Sequence, residues 1–152
     1  MDAMTILRRC RSGPDGIRRT EQRIRQRRQA AEALPSPSLR DGSRGGGRED
    51  RAGRMAAEID GLERALKRQR EEHAVISAAA CALMDRLPER ESAVLYGYYV
   101  SGETVAGLSR RLHFSDGYVR KLKGRGERLL QALSAQEILE TVPAWFVDEK
   151  GE

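Results

Sequence analysis

The chain reads as an all-α protein: an N-terminal helical hairpin or coiled coil followed by a three-helix helix-turn-helix domain. Three observations predict this. Apolar residues recur in alternating steps of four and three from Met55 to Leu87, the period of a coiled-coil seam. The stretch Val105 to Gly124, "VAGLSRRLHFSDGYVRKLKG", carries two short helical patterns with only "HFS" between them. All seven Phe, Trp and Tyr residues lie at or beyond Tyr96. The first ninety-five residues therefore lack aromatic side chains, and the composition predicts helical, extended or disordered chain there rather than a compact core.

Residues 1–16 are expected to be a basic segment, with Arg8, Arg9 and Arg11. The apolar stretch in "MDAMTILRRC" is too short for a secretion signal, and no run approaches the roughly twenty apolar residues of a membrane span. Residues 17–34 predict an Arg-rich helix with Ile17, Ile24, Ala31 and Leu34 along one stripe. Pro14 and Gly16 are expected to set its start, and Pro35 and Pro37 its end. Residues 35–53, rich in Pro, Ser, Gly and Arg and including "GGG" at 45–47, predict a flexible linker.

A heptad helix is predicted over 54–87, with Met55, Ile59, Leu62, Leu66, Gln69, His73, Ile76, Ala80, Leu83 and Leu87 on its seam. Gln69 and His73 are polar interruptions. Either the Ile17 helix folds back antiparallel onto this seam, or two copies of the seam pair and make a homodimer through 54–87. Residues 88–133 predict the helix-turn-helix domain. Pro88 suits the first turn of a helix running from Glu89 to about Val100, whose buried stripe is Val94, Leu95, Tyr98 and Tyr99. "SGE" at 101–103 breaks it. Ser115 is placed to cap the last helix by accepting from an N–H one turn in. Residues 134–152 form an acidic tail with Ile138, Leu139, Val142, Trp145 and Phe146 as an apolar patch, either docked or loose.

Charge is unevenly spread. The formal net charge is +5, but residues 1–54 hold 14 Arg against 7 Asp and Glu. Such a balance favours polyanions, chiefly nucleic acid, through counterion release. Cys10 and Cys81 are far apart, with no CxxC pair or Cys/His cluster, which predicts neither a metal site nor a cofactor and suits a reducing cytoplasm. No Ser/His/Asp order, phosphate loop or apolar pair of carboxylates is present, so catalysis is not expected.

The candidate DNA surface follows from the second helix of the motif, which a helix-turn-helix lays in the major groove. Arg120 and Lys121 lie opposite Val119 and Leu122 and are the foremost candidates for base-edge or phosphate contact. Asp116, Gly117, Lys123 and Arg125 complete the helix's contribution. Arg110 and Arg111 end the preceding helix, where phosphate contact and plain solvation are both open. Ser115 is foremost a cap, and Tyr118 either touches DNA or packs on the domain.

Leu87-Pro88, Glu91, Val94-Leu95, Tyr98-Tyr99, Gly102, Leu108, Leu112, Ser115, Val119 and Leu129-Leu130 together resemble region four of bacterial sigma factors, which reads promoter DNA. With the Arg-rich arm, linker and heptad helix ahead of it, the chain is similar to small phage and prophage sigma-like regulators of the ArpU type. The resemblance implies a transcription regulator that binds double-stranded promoter DNA and engages RNA polymerase. With no aromatic residue before Tyr96 to stack on flipped bases, an accessory role is expected. Ser109 and His113 stand where the family has Ala and Gly, so His113 must take a left-handed backbone or the corner must differ. Gly117 and Tyr118 replace residues that often read bases, so the target sequence does not carry over. Two other readings fit the same residues: a coiled-coil assembly protein whose motif reads nothing, and a nonspecific nucleic-acid binder acting through the Arg-rich arm.

Overall fold

The computed structural model describes residues 1–33 and 46–146, with only the backbone described for 46–49. The described residues are helical throughout, without strands: α1 (Ala3–Glu32), α2 (Gly46–Met84), α3 (Glu89–Leu95) continued by a π-helical turn (Tyr96–Val100), α4 (Val105–Leu112), α5 (Asp116–Gln131) and α6 (Ala135–Thr141). No helix among them is long and apolar enough to cross a membrane. The chain divides into two compact units, residues 15–71 and residues 1–14 with 72 onward.

The first helix corrects the expectation for residues 1–16. It begins at Ala3 rather than near Ile17, and Pro14 lies inside it. Asp2 caps it, its carboxylate accepting from the Thr5 N–H at 2.8 Å, which holds that carboxyl below its usual range. An interior Pro costs a helix about 3 kcal/mol. Burial offsets that cost, because Ala3, Met4, Ile6, Leu7 and Cys10 recur at helical spacing and are all buried. Each large apolar side chain fully buried contributes about 1.5–3 kcal/mol.

The second correction concerns the linker. Residues 34–45 lie outside the described residues, but from Gly46 onward the chain is already α2. Extending an existing helix adds a hydrogen bond for each residue fixed, so the Arg, Glu, Asp and Ala residues after the glycines are absorbed into it.

In the unit of residues 15–71, α1 runs antiparallel to α2. The Thr20 hydroxyl meets Gln69 Oε1 at 2.8 Å, Arg70 pairs with Glu21 at 2.6 Å, Arg27 pairs with Glu58 at 3.3 Å, and Arg28 pairs with Glu63. Thr20 and Ile24 are buried. This is the fold-back arrangement within one chain. Gln69 breaks the apolar seam because it answers Thr20.

The other unit has two apolar cores, one on each side of α3. In the larger, Ile6, Leu7 and Cys10 of α1 meet Ile76, Ala80, Leu83 and Met84 of α2, with Leu95, Tyr99, Leu130, Ile138, Val142 and Phe146. The smaller is Val94, Leu108, Val119 and Leu122, with Tyr98, Leu112 and Phe114 packed against it. Apolar residues within 3–10 and 76–84, in the stretch without aromatic side chains, thus do enter a compact core, contrary to the compositional expectation, by sharing one with Tyr99 and Phe146 downstream. The described part of the tail, residues 134–146, docks as well, although Leu139 and Trp145 of the expected patch stay exposed. Ser134 and Glu137 form a reciprocal cap at the start of α6, and Ile138, Val142 and Phe146 turn inward. At Gly13 a Cβ would collide with the His73 ring, so that seam histidine is the packing partner of a glycine.

Candidate nucleic-acid interface

Helix α3 is the platform on which the motif is mounted. Val94 and Leu95, adjacent in sequence, enter the two different cores, so the helix is held on both sides. Glu91 is buried, and Arg125 of α5 reaches it at 3.3 Å. Gly126 brings α5 close, since a Cβ there would stand 2.8 Å from Leu95 Cδ1. Gly97 does the same for α4, where a Cβ would strike Leu108.

The last turn of this helix is widened, and the Ser101 N–H donates back to the Tyr96 carbonyl at 3.1 Å. A π turn leaves carbonyls that the regular ladder would use. Arg11 of α1 donates to the Tyr98 carbonyl and to the Glu103 carbonyl at 3.2 Å, and its guanidinium lies 3.7 Å from the Tyr98 ring centroid. Tyr99 donates to Glu127 at 2.7 Å. Burial, then that hydrogen bond, pushes its phenol well above the ordinary tyrosine range, so it stays neutral.

Gly102, at φ 70°, turns the chain into α4, where Thr104 accepts from the Gly107 N–H at 3.0 Å. The corner after α4 takes the left-handed alternative: His113 has φ 57° and ψ 40°. The Phe114 N–H donates to the Ser109 carbonyl at 3.1 Å, and the Ser109 hydroxyl donates to the Phe114 carbonyl. The serine in place of alanine therefore closes the turn. Ser115 then caps α5 as its position predicts, accepting from the Tyr118 N–H at 3.1 Å.

Helix α5 buries Val119, Leu122, Gly126 and Leu130. Its opposite face carries Gly117, Arg120, Lys121 and Arg128, all exposed, with Gly124 half-buried between them. None of these cations has an ion-pair partner among the described residues, although two acids stand near them in sequence: Asp116, exposed one turn before Arg120, and Glu127, next to Arg128. Glu127 is engaged by Lys123 and Tyr99, whereas Asp116 stays exposed at the head of the helix.

The other predicted residues separate into two groups. Arg110 is exposed at the end of α4, with no ion-pair partner among the described residues. Arg111 pairs with Glu103 at 2.8 Å. Lys123 turns to the inner side, 2.5 Å from Glu127 and 4.5 Å from the Tyr98 ring centroid. Arg125 is engaged by Glu91. Tyr118 packs edge-on against Phe114 with centroids 4.9 Å apart, and its hydroxyl accepts from Arg90 at 2.8 Å.

Two residues at this surface were missed from sequence. Arg128 falls on the outward stripe with Gly117, Lys121 and Gly124 at helical spacing, so extending the periodicity would have found it. Arg90 is exposed on α3 and is brought beside the head of α5 through Tyr118. Only the fold makes them neighbours.

Residues 83–134, a third of the chain, match the family Sigma-70, region 4. No curated protein and no solved structure matches the chain. The matched residues include the end of α2, the α3 platform, the left-handed corner and α5 with its open cationic face. Residues 83–134 are a sigma factor region 4-like helix-turn-helix, a DNA-binding domain.

Proposed function

We propose that the chain is a sequence-specific transcription regulator, a binding protein rather than an enzyme, that reads promoter DNA with the outward face of α5 and engages RNA polymerase. The observation that carries this reading is the set of Arg120, Lys121 and Arg128 on one exposed face of α5, none of them ion-paired among the described residues, with Val119, Leu122 and Leu130 buried behind them. Arg offers a bidentate fork to guanine, and Lys a point charge. Gly117 and Gly124 on the same face present no side chain, which permits close approach of the helix backbone. Arg90, tied to the head of α5 through Tyr118, and Arg110, exposed at the end of the preceding helix, suit phosphate contact, which fixes register without reading bases. The Arg-rich and heptad helices ahead of the domain support a regulator of the small phage and prophage sigma-like kind.

Selection of bound duplexes from a random pool tests the reading. The intact chain should enrich one sequence. On that duplex Arg120→Ala and Lys121→Ala should each weaken binding by about 1–3 kcal/mol where a base contact is lost, and by a salt slope reduced by about one unit where a phosphate contact is lost. Unchanged affinity and slope in both variants would contradict it.

A further inference from the structure

The hairpin of residues 15–71 sorts its charges by face. Arg27 and Arg28 lean toward α2 and pair with Glu58 and Glu63, and Glu21 pairs with Arg70. Ile24 and Thr20 are buried on that same side. The outward side of α1 is different. From Gln22 to Ala31 the sequence holds four Arg, three Gln and no carboxylate. Arg19, Gln22, Arg23, Arg25, Gln26 and Gln29 are all exposed. At 100° per residue Gln22 and Gln26 form the crest, with Arg19 and Arg23 on one flank and Arg25 on the other. None of those three arginines has an ion-pair partner among the described residues, whereas Arg18, at the start of the face, pairs with Asp15.

An ordinary solvated helix face mixes both signs, because opposite charges three and four residues apart support it. From Arg19 to Gln29 the outward positions hold only arginine and a neutral amide that donates to the same oxygens, the acid ahead of them, Asp15, being paired with Arg18. Arg19 and Arg23, four residues apart on one flank, are like charges that repel and are relieved by a polyanion, and Arg25 adds a cation on the other flank. We propose that the outward ridge of α1 is a second nucleic-acid contact, gripping duplex phosphates without regard to sequence. The choice of a duplex as the polyanion rests on reading the chain as a DNA binder. The ridge itself is a property of the hairpin and uses none of the residues of α5.

The test is salt-dependent binding of the full chain to a 40-base-pair duplex of random sequence, comparing Arg19→Gln/Arg23→Gln/Arg25→Gln with Arg120→Gln/Lys121→Gln. Arg and Gln have similar helix propensity, so circular dichroism should be unchanged. Each phosphate contact adds about 0.9 to the slope of log affinity against log salt, so the ridge variant should lose about two to three units. The triple Arg→Lys variant keeps the charge and should restore them. A ridge variant that loses its slope while the α5 variant does not would uphold the ridge, the reading of α5 being decided separately by the affinity of its variants for the selected duplex. A ridge variant with unchanged slope overturns the ridge, whatever the α5 variant does. In that case an acidic protein would become the better partner for this face.

Discussion

Single residues decide how close the helices of the DNA-binding domain come. Gly124 and Gly126 are two apart on α5 and look equivalent in sequence, each costing a helix about 1 kcal/mol against Ala. Their surroundings are not equivalent. A Cβ at Gly124 meets only the flexible end of Arg128, at 3.4 Å, whereas one at Gly126 meets the locked Leu95 side chain at 2.8 Å. Gly124→Ala should therefore raise stability by up to about 1 kcal/mol, and Gly126→Ala should lower it by about 1–3 kcal/mol through overpacking. Chemical denaturation of the two variants measures the contrast, and equal shifts of the same sign would refute it. The cap at Ser115 and the choice facing His113 were legible, because capping and left-handed turns are local chemistry. The engagement of Lys123 by Glu127 and of Arg125 by Glu91 was not fully so. The Glu91 partner is thirty-four residues away and reaches α5 only through packing.

At the scale of elements, periodicity located most helices but misjudged several boundaries, and the errors at the starts of α1 and α2 have one cause. Pro14 and the glycines before Arg48 were given the weight of breakers, yet local propensity is a weak force beside burial and helix extension. The stripe Ala3, Ile6, Leu7 and Cys10 was present in the sequence at steps of three, one and three, but too short to outweigh a proline. Every residue of the expected seam from Met55 to Leu87 is buried or half-buried, although α2 ends at Met84, before Leu87. Leu62 and Leu66 belong to the half-buried part of it. Replacing both with Asp places charge in an apolar seam, which costs far more than an exposed charge pair can return. The helical signal should fall in the double variant, and the mass in solution should report whether a second chain also depended on the seam. Unchanged helicity and mass would mean that the seam holds nothing together.

For the whole molecule, the consequential feature is that the DNA-binding domain does not own its core. Leu95, Tyr99 and Leu130 are packed in one cluster with Ile6 and Leu7, and Arg11 secures the turn ahead of α4. Reading 88–133 as a separate domain missed this, because nothing in a sequence says which apolar stripes will share a core. Leu7 is fully buried. Leu7→Ala should destabilise the chain by about 2–5 kcal/mol, and the loss should appear in the unfolding of the domain ninety residues away. A domain that unfolds at unchanged denaturant while α1 frays would refute the shared core.

The central claim is that the outward face of α5 reads DNA. Amide chemical-shift mapping of the 17.0 kDa chain on titration with its selected duplex tests it most directly. The largest changes should fall at Ser115, Gly117, Arg120, Lys121 and Gly124, with smaller ones at Arg90 and Arg110. Changes confined to α6, or to residues 15–71, with α5 unmoved, would contradict the claim.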